Sequence, residues 1–502
     1  VRINTAFGSI INKLDVPGIF NDDITHVITE NLQIYGAPGG QLDAAGNATI
    51  NGRLKIDPGI VVKLSGARIE AERGSAQLIA EGTEENPIIF TSLSDDRYGA
   101  GTTFDTSNDG VTAFGPGNWG GIIFNAASSG SIDHALITNA GGLVPIEGGF
   151  ANFNAVEVHQ ADFRIANSIL EDNASGQTGS SRNGRGSNDS ATIFVRGAQP
   201  ITVDNIFRDN AGTVVSIDAN SLNYKFKTDY GRTTGFIDAY QQFPDNHGAL
   251  VRLNRMENNG LNGMEVRAAL LDTETIWDDT DIVHILRGEI QVNQHHTFSG
   301  IRLQSNLDEG LVVKLAGPTA GFTADGVPLD INDRIGGTVQ IIGQPGFPVV
   351  LTSLADDTVG ASFTPAGTPQ TDTNNDGSAT TPSAGDWRSI RLDRYSNDRN
   401  VVVRLETEGN NTSGVDTNRN PGFAQNLGVL APDEISGDEN RALGFEVHGN
   451  ISADAPDDVD VYSFNATAGT RVWIDIDRTS SSLNTIVELV NIFGNVIASS
   501  ID

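Results

Sequence analysis

The sequence predicts an all-β chain in which many short strands stack, and three observations carry the prediction. Runs rich in β-branched residues, Ile60 to Leu64, Ala67 to Ala71, Gln77 to Ala80 and Ile88 to Thr91, are separated by Gly, Asn or Pro. No stretch holds an amphipathic helical period. The chain also repeats itself in order. Val61-Val62-Lys63-Leu64 returns as Val312-Val313-Lys314-Leu315, and Phe90-Thr91-Ser92-Leu93-Ser94-Asp95-Asp96 returns as Leu351-Thr352-Ser353-Leu354-Ala355-Asp356-Asp357. Asp105-Thr106-Ser107-Asn108-Asp109-Gly110 returns as Asp372-Thr373-Asn374-Asn375-Asp376-Gly377, and Gly117-Asn118-Trp119 as Gly385-Asp386-Trp387. The offset grows from 251 residues (61 to 312) to 268 (119 to 387), as duplication followed by loop insertion produces. Strands this short cannot each bury a face alone, so they stack as a solenoid, a sandwich or a barrel.

The stretch between the two copies favours stacked coils. Ser168-Ile169-Leu170-Glu171-Asp172-Asn173-Ala174, Asn205-Ile206-Phe207-Arg208-Asp209-Asn210-Ala211 and Asn254-Arg255-Met256-Glu257-Asn258-Asn259-Gly260 share one pattern. An apolar residue stands third, an acid or Asn fifth, Asn sixth and a small residue seventh. Asn tolerates the left-handed conformation and bonds its own backbone, so the repeated Asn marks one corner in successive coils. The expectation is that Asn173, Asn210 and Asn259 form a column.

Composition limits the function classes. The 502 residues correspond to about three domains. Asp and Glu number 64 against 32 Lys and Arg, a formal net charge of −32, which opposes nucleic acid and anionic membranes as partners. There is no cysteine, which excludes disulfides, thiolate metal sites and cysteine nucleophiles. No run approaches 18 consecutive apolar residues. The chain opens on Val1-Arg2-Ile3 and closes on Ile501-Asp502 within a strand series, which reads as a segment of a longer protein.

Leu54-Lys55-Ile56-Asp57-Pro58-Gly59-Ile60-Val61-Val62-Lys63, Leu78-Ile79-Ala80-Glu81-Gly82-Thr83, Pro87 to Ser92 and Trp119-Gly120-Gly121-Ile122-Ile123-Phe124 resemble the right-handed parallel β-helix modules of large bacterial secreted and surface proteins. The resemblance covers most of residues 24–405 and implies a pectin-lyase-like solenoid in two related blocks, 24–275 and 276–405, after a lead-in of residues 1–23. Residues 406–440, rich in Gly, Asn and Asp, read as a linker. From Phe445 to Ile497 the strands alternate with hairpin-like turns, as in an antiparallel sandwich. Residues 441–502 resemble a truncated bacterial pre-peptidase C-terminal domain, which implies a jelly-roll-like β-sandwich.

Two sets of oxygen-bearing side chains suggest calcium (Ca2+), which takes hard oxygen ligands. Asp372, Asn374 and Asp376 before Gly377 match the first half of a calcium loop, and Asp105 and Asp109 match it in the first copy. The twelfth position, a Glu in an EF-hand, is Ser383 in one copy and Pro116 in the other, so Asp95, Asp96, Asp356 and Asp357 are the candidates to complete the loops. The alternative is an Asx-rich turn without metal. The second set comes from the strip Glu406-Thr407-Glu408-Gly409-Asn410-Asn411, which resembles the entry to pre-peptidase-type and collagen-binding domains. That resemblance implies ligands at Glu406, Glu408, Asn410 and Asn411, joined by Asp458 and Asp460. The insertion Thr412 to Pro421 departs from the pattern.

Catalysis finds little support. Ile132-Asp133-His134 echoes a pectate lyase strand motif without its Arg-x-Pro-x-x-Arg partner, and Asn246-His247-Gly248 only approaches a polygalacturonase Gly-His-Gly. No catalytic residue is assigned. The insertion at 220–250 holds Tyr224, Tyr230, Phe236 and Tyr240, aromatic candidates for contact with another subunit or a glycan, against the alternative of a loop packing on itself. Ala174 to Ser190, rich in Gly, Ser and Asn, reads as a flexible loop. The expected function is an extracellular or surface-displayed bacterial scaffold, adhesive or filament-forming, stiffened by calcium, with itself or other surface subunits as partners. A glycan-binding adhesin is the first alternative and a polysaccharide lyase or glycoside hydrolase the second.

Overall fold

The computed structural model describes residues 24–36, 52–101, 103–179, 182–235, 246–293, 300–328, 334–393, 396, 401–407, 418–432, 441–449, 459–472, 474, 476 and 486–501, with the backbone of 2–3 and 9–11. Among the described residues the regular structure is β, apart from two short 3-10 turns at Arg182–Gly184 and Ala219–Ser221. Two compact units are present: residues 1–325 with 337–393, and residues 326–336 with 394–502.

The first unit is a stack of parallel sheets, consistent with a parallel β-solenoid. Successive strands visit three sheets in turn, as Leu32–Ile34, Arg53–Ile56 and Val61–Leu64 do before Ile69–Ala71 returns to the first. An eleven-stranded sheet runs through the unit from Arg2–Ile3 to Val349–Ser353. It is flanked by two seven-stranded sheets that end at Leu250–Arg252 and Arg255–Glu257. Beyond them a four-stranded and a three-stranded sheet begin at Ala269–Leu270 and Glu274–Trp277. Side chains of one face line up in the core, where Ile69, Ile122, Val156, Ile193 and Val215 are fully or nearly fully buried and in register. Each such aliphatic side chain contributes roughly 1.5 to 3 kcal/mol on burial.

The duplication has a geometric consequence at the point where sheets change. Val61–Leu64 and Ile88–Ser92 belong to a seven-stranded sheet, whereas their repeats Leu311–Leu315 and Val349–Ser353 lie in the eleven-stranded one. Ile122–Phe124 lies in the eleven-stranded sheet and its counterpart Trp387–Leu392 in the four-stranded one. The second copy is therefore displaced by one sheet relative to the first.

The corner column forms as the sequence predicts. Asn173 Nδ2 donates to Asn210 Oδ1 at 2.9 Å, and Asn210 Nδ2 to Asn259 Oδ1 at 2.8 Å. Each Asn also donates to a backbone carbonyl one coil away, Ile137, Leu170 and Phe207 respectively. The conformational reason differs from the expectation. The left-handed residue is the fifth of the pattern, Asp172, Asp209 and Asn258 with φ of 53°, 56° and 54°, and it frees the sixth, Asn, to ladder. A second column, made by the first residue of the same pattern, runs from Ser168 to Asn205 and Asn254: Ser168 N reaches Asn205 Oδ1 at 3.0 Å and Asn205 Nδ2 reaches Asn254 Oδ1 at 3.1 Å.

Two excursions fold back on the outer faces. Within Ala174 to Ser190, read from composition as flexible, the described residues are pinned by Arg182, which is 1% exposed and pairs with buried Glu157 at 2.6 Å. Arg185 joins Glu70 at 2.9 Å and Glu147 at 2.8 Å, and the guanidinium groups of Arg68 and Arg182 lie over the Phe153 ring, 4.8 and 4.7 Å from its centroid. Polar composition hid a loop held by charge rather than by apolar contact.

The second unit is all-β as well. Val401–Leu405 pairs with Gly444–His448, and Gln425–Val429 with Tyr462–Asn465, both in parallel. Gln425–Val429 lies inside the stretch expected as a linker. Ile486–Val490 and Val496–Ile501 form an antiparallel hairpin. Alternation of apolar and polar residues predicted strands here, but two of these three pairings join strands distant in sequence and run parallel.

Candidate metal centre

The two Asp loops are built alike. Lys63 and Lys314, both fully buried, reach out from equivalent strands and donate to the carbonyl just before each loop: Lys63 Nζ to Phe104 O at 2.6 Å, and Lys314 Nζ to Thr371 O at 2.8 Å. The first Asp of each loop then caps its turn. Asp105 accepts from the amides of Asp109 and Gly110 at 3.3 and 3.0 Å, and Asp372 from those of Asp376 and Gly377 at 3.0 and 2.9 Å. Asn108 and Asn375 take φ of 56° and 57°, and Gly110 and Gly377 take 73° and 72°. Thr91 donates to Asp95, and Thr352 to Asp356, both at 2.6 Å.

Asp95 and Asp356 stand outside the group of converging acids, Asp357, Asp372 and Asp376, and each accepts from a Thr hydroxyl and from the amide two residues ahead, of Arg97 or Thr358. Asp95 also binds the Arg97 guanidinium at 2.9 Å. Burial would raise its pKa, but the Arg97 and Thr91 hydrogen bonds outweigh it and hold the carboxyl below the usual range.

The copies diverge at the remaining carboxylates. Asp357, Asp372 and Asp376 each bring an oxygen within 4.8 Å of the others, and among the described residues this is the group of acids so arranged. Asp96, Asp105 and Asp109 do not converge in that way. Oxygens on opposite sides of one calcium ion stand roughly 4.8 Å apart, twice an ordinary ligand distance, so the triad fits such an ion. Buried oxygens of Asp357, Asn374 and Asp376 lack a hydrogen-bond donor. Burial, and then repulsion from Asp372, pushes the Asp357 pKa up, while Lys314 opposes it. For Lys314 burial dominates and lowers its pKa to about 8. Asp357, Asn374 and Asp376, with Asp372, are the side chains that would hold the metal.

The lysines went unassigned in the sequence although their signal is present: one Lys interrupts an apolar strand at the same place in both copies. The loop also closes the Asn column, since Asn259 Nδ2 donates to Asn262 Oδ1 and Asn262 Nδ2 to the carbonyl of Asp372, at 3.0 and 2.9 Å.

In the second unit, Glu406 accepts from the Tyr462 hydroxyl at 2.9 Å and lies 3.5 Å from Asn418 Nδ2. Among the described residues no converging group of acids includes Asp460. Glu408, Asn410, Asn411 and Asp458 lie outside the described residues. So do Phe236 and Tyr240, whereas Tyr224 and Tyr230 are 42% and 83% exposed. Their insertion is anchored by charge: Arg164 binds Asp229 at 2.9 Å and Asp133 at 2.6 Å, and Arg232 binds Asp133 at 2.8 Å. Asp133 of the lyase-like Asp-His pair thus serves as an anchor for this strap, with His134 beside it at 2.5 Å.

Comparison with family models, with curated proteins and with solved structures finds no match for this chain. Among the described residues no helix is long and apolar enough to cross a membrane.

Proposed function

We propose that the chain is a structural module of a secreted or surface-displayed bacterial protein: a right-handed parallel β-helix in two related blocks, followed by a further all-β unit. The observation that supports this reading most is the continuity of the eleven-stranded sheet with its two Asn columns. At about 4.8 Å per strand the sheet extends for roughly 48 Å with its backbone bonded throughout. Parallel coils leave strand edges at their ends, which favours end-to-end association with other copies or related subunits. In this reading calcium at Asp357, Asp372, Asn374 and Asp376 stiffens the loop that ends the Asn column. Light scattering and electron microscopy with and without calcium test the assembly role. Filaments or end-to-end oligomers are expected, and a monomer at every concentration and calcium level would reject it.

A glycan-binding adhesin is the second reading, favoured by Tyr224 and Tyr230 projecting from an anchored strap beside Lys225. Glycan-array binding that disappears in Tyr230→Ala supports it, and no binding above background removes it.

A further inference from the structure

One inward row of the eleven-stranded sheet runs Leu32, Ile69, Ile122, Val156, Ile193, Val215, Met264, His284, Val313 and Leu351, each in register with the next. His284 is the single polar member of the row. It is fully buried and stacks on Trp277, with ring centroids 5.2 Å apart and planes 12° from parallel. Neither ring nitrogen has a well-formed hydrogen bond. Its place in the chain is specific too. The strand His284–Leu286 is the first of the long sheet to follow the point where both seven-stranded sheets have stopped and the shorter sheets have begun.

We propose that His284 is an acid-sensitive latch at the joint between the two blocks: neutral, it completes the apolar core, and in acidic surroundings its protonation opens the stack locally at that joint. An imidazolium there has no counter-charge. The inward neighbours are Met264, Val313, Trp277 and, packed edge-on against Trp277, Phe322. Charged residues of the packed strands are engaged elsewhere: Glu265 with Arg287, Arg267 near Asp218, Glu274 near Arg302, and Lys314 with the Thr371 carbonyl. The corner acids upstream, Asp278, Asp279 and Asp281, are held by His247 and by the amides of Val251 and Leu253. Burial accordingly depresses the His284 pKa to about 3, with the Ile282 backbone opposing only in part.

The direction of the pH effect follows. Between pH 6.5 and 3 the opened form binds a proton that the closed form does not, so closing weakens as pH falls, by up to tenfold per pH unit. Below about pH 3 both forms are protonated and the effect ends.

Hydrogen exchange of the full chain, corrected for intrinsic rates, tests this. Strands Leu261–Arg267, His284–Leu286 and Leu311–Leu315 are expected to lose protection on the order of 100-fold between pH 6.5 and 4.5. Ile122–Phe124 and Val156–His159, distant along the sheet, are expected to lose much less. His284→Phe should abolish the excess loss at the joint. His284→Gln, polar and unable to titrate, is the control if Phe does not pack. A parallel loss of protection in wild type and both variants overturns the proposal, as does a His284 ring signal that titrates near pH 6.5 in the folded chain.

Discussion

Asn210 shows how much one polar side chain contributes inside the stack. It accepts from the amide and side chain of Asn173 and donates to the Leu170 carbonyl and to Asn259, in a site that is 2% exposed. Asn210→Ala strands partners on both sides, each worth about 1–3 kcal/mol when buried and unpaired. The expected loss is about 3 kcal/mol in urea denaturation, against less than 1 kcal/mol for a surface control such as Asn420→Ala, whose exposed side chain accepts from the nearby Gly422 amide. The column itself was legible, because one spacing returned three times with Asn sixth. The second column was written at the first position of the same pattern, yet Ser168 differs from Asn205 and Asn254, so the repeat looked like an ordinary corner. Which residue takes the left-handed turn was not legible, since Asp and Asn tolerate it almost equally.

At the scale of elements, the excursions are held by buried charge. Burial would raise the Glu157 pKa, but His159 at 2.8 Å and Arg182 at 2.6 Å pull it down to about 2. Its contribution is present above about pH 4.5 and is lost as pH falls toward 2, a change of roughly 3 kcal/mol readable in the acid limb of a stability profile. Arg182→Met removes the guanidinium from buried Glu157 and leaves it His159 and the Asn154 and Asn188 donors, so a loss of about 3 kcal/mol and early protease cleavage within 174–190 are expected. The described part of the insertion at 220–250 depends likewise on Arg232 and Asp229. Arg232→Ala should expose it to trypsin at Lys225 and Lys227 while thermal unfolding of the stack shifts little. Such straps are hard to read in advance because their partners, Asp133 and Glu81, lie about 100 and 150 residues upstream.

For the whole molecule the two Asp loops are unequal in spite of their shared sequence. Titration calorimetry is expected to find one calcium ion per first unit, lost in Asp376→Asn and retained in Asp109→Asn. A hundredfold excess over Kd should raise the melting midpoint by about 3 °C, and chelator should reverse it. Two ions of equal affinity, or none, would contradict the unequal loops. The duplicated strands also show why two similar blocks form one compact unit. The long sheet accepts Leu311–Leu315 next to His284–Leu286 with inward aliphatic residues in register, so the core runs unbroken while the flanking sheets change.

Strand content, duplication and the Asn corners could be derived from residue order, because they depend on local periodicity and on turn chemistry that recurs at fixed spacing. The displacement of the second copy by one sheet, the clamping of each Asp loop by its lysine, the convergence of one triad and the parallel pairing of Val401–Leu405 with Gly444–His448 became visible only in three dimensions. Those features rest on which distant segments lie side by side. Burial and electrostatic compensation summed over the whole core select that arrangement, and no short window of sequence contains the sum.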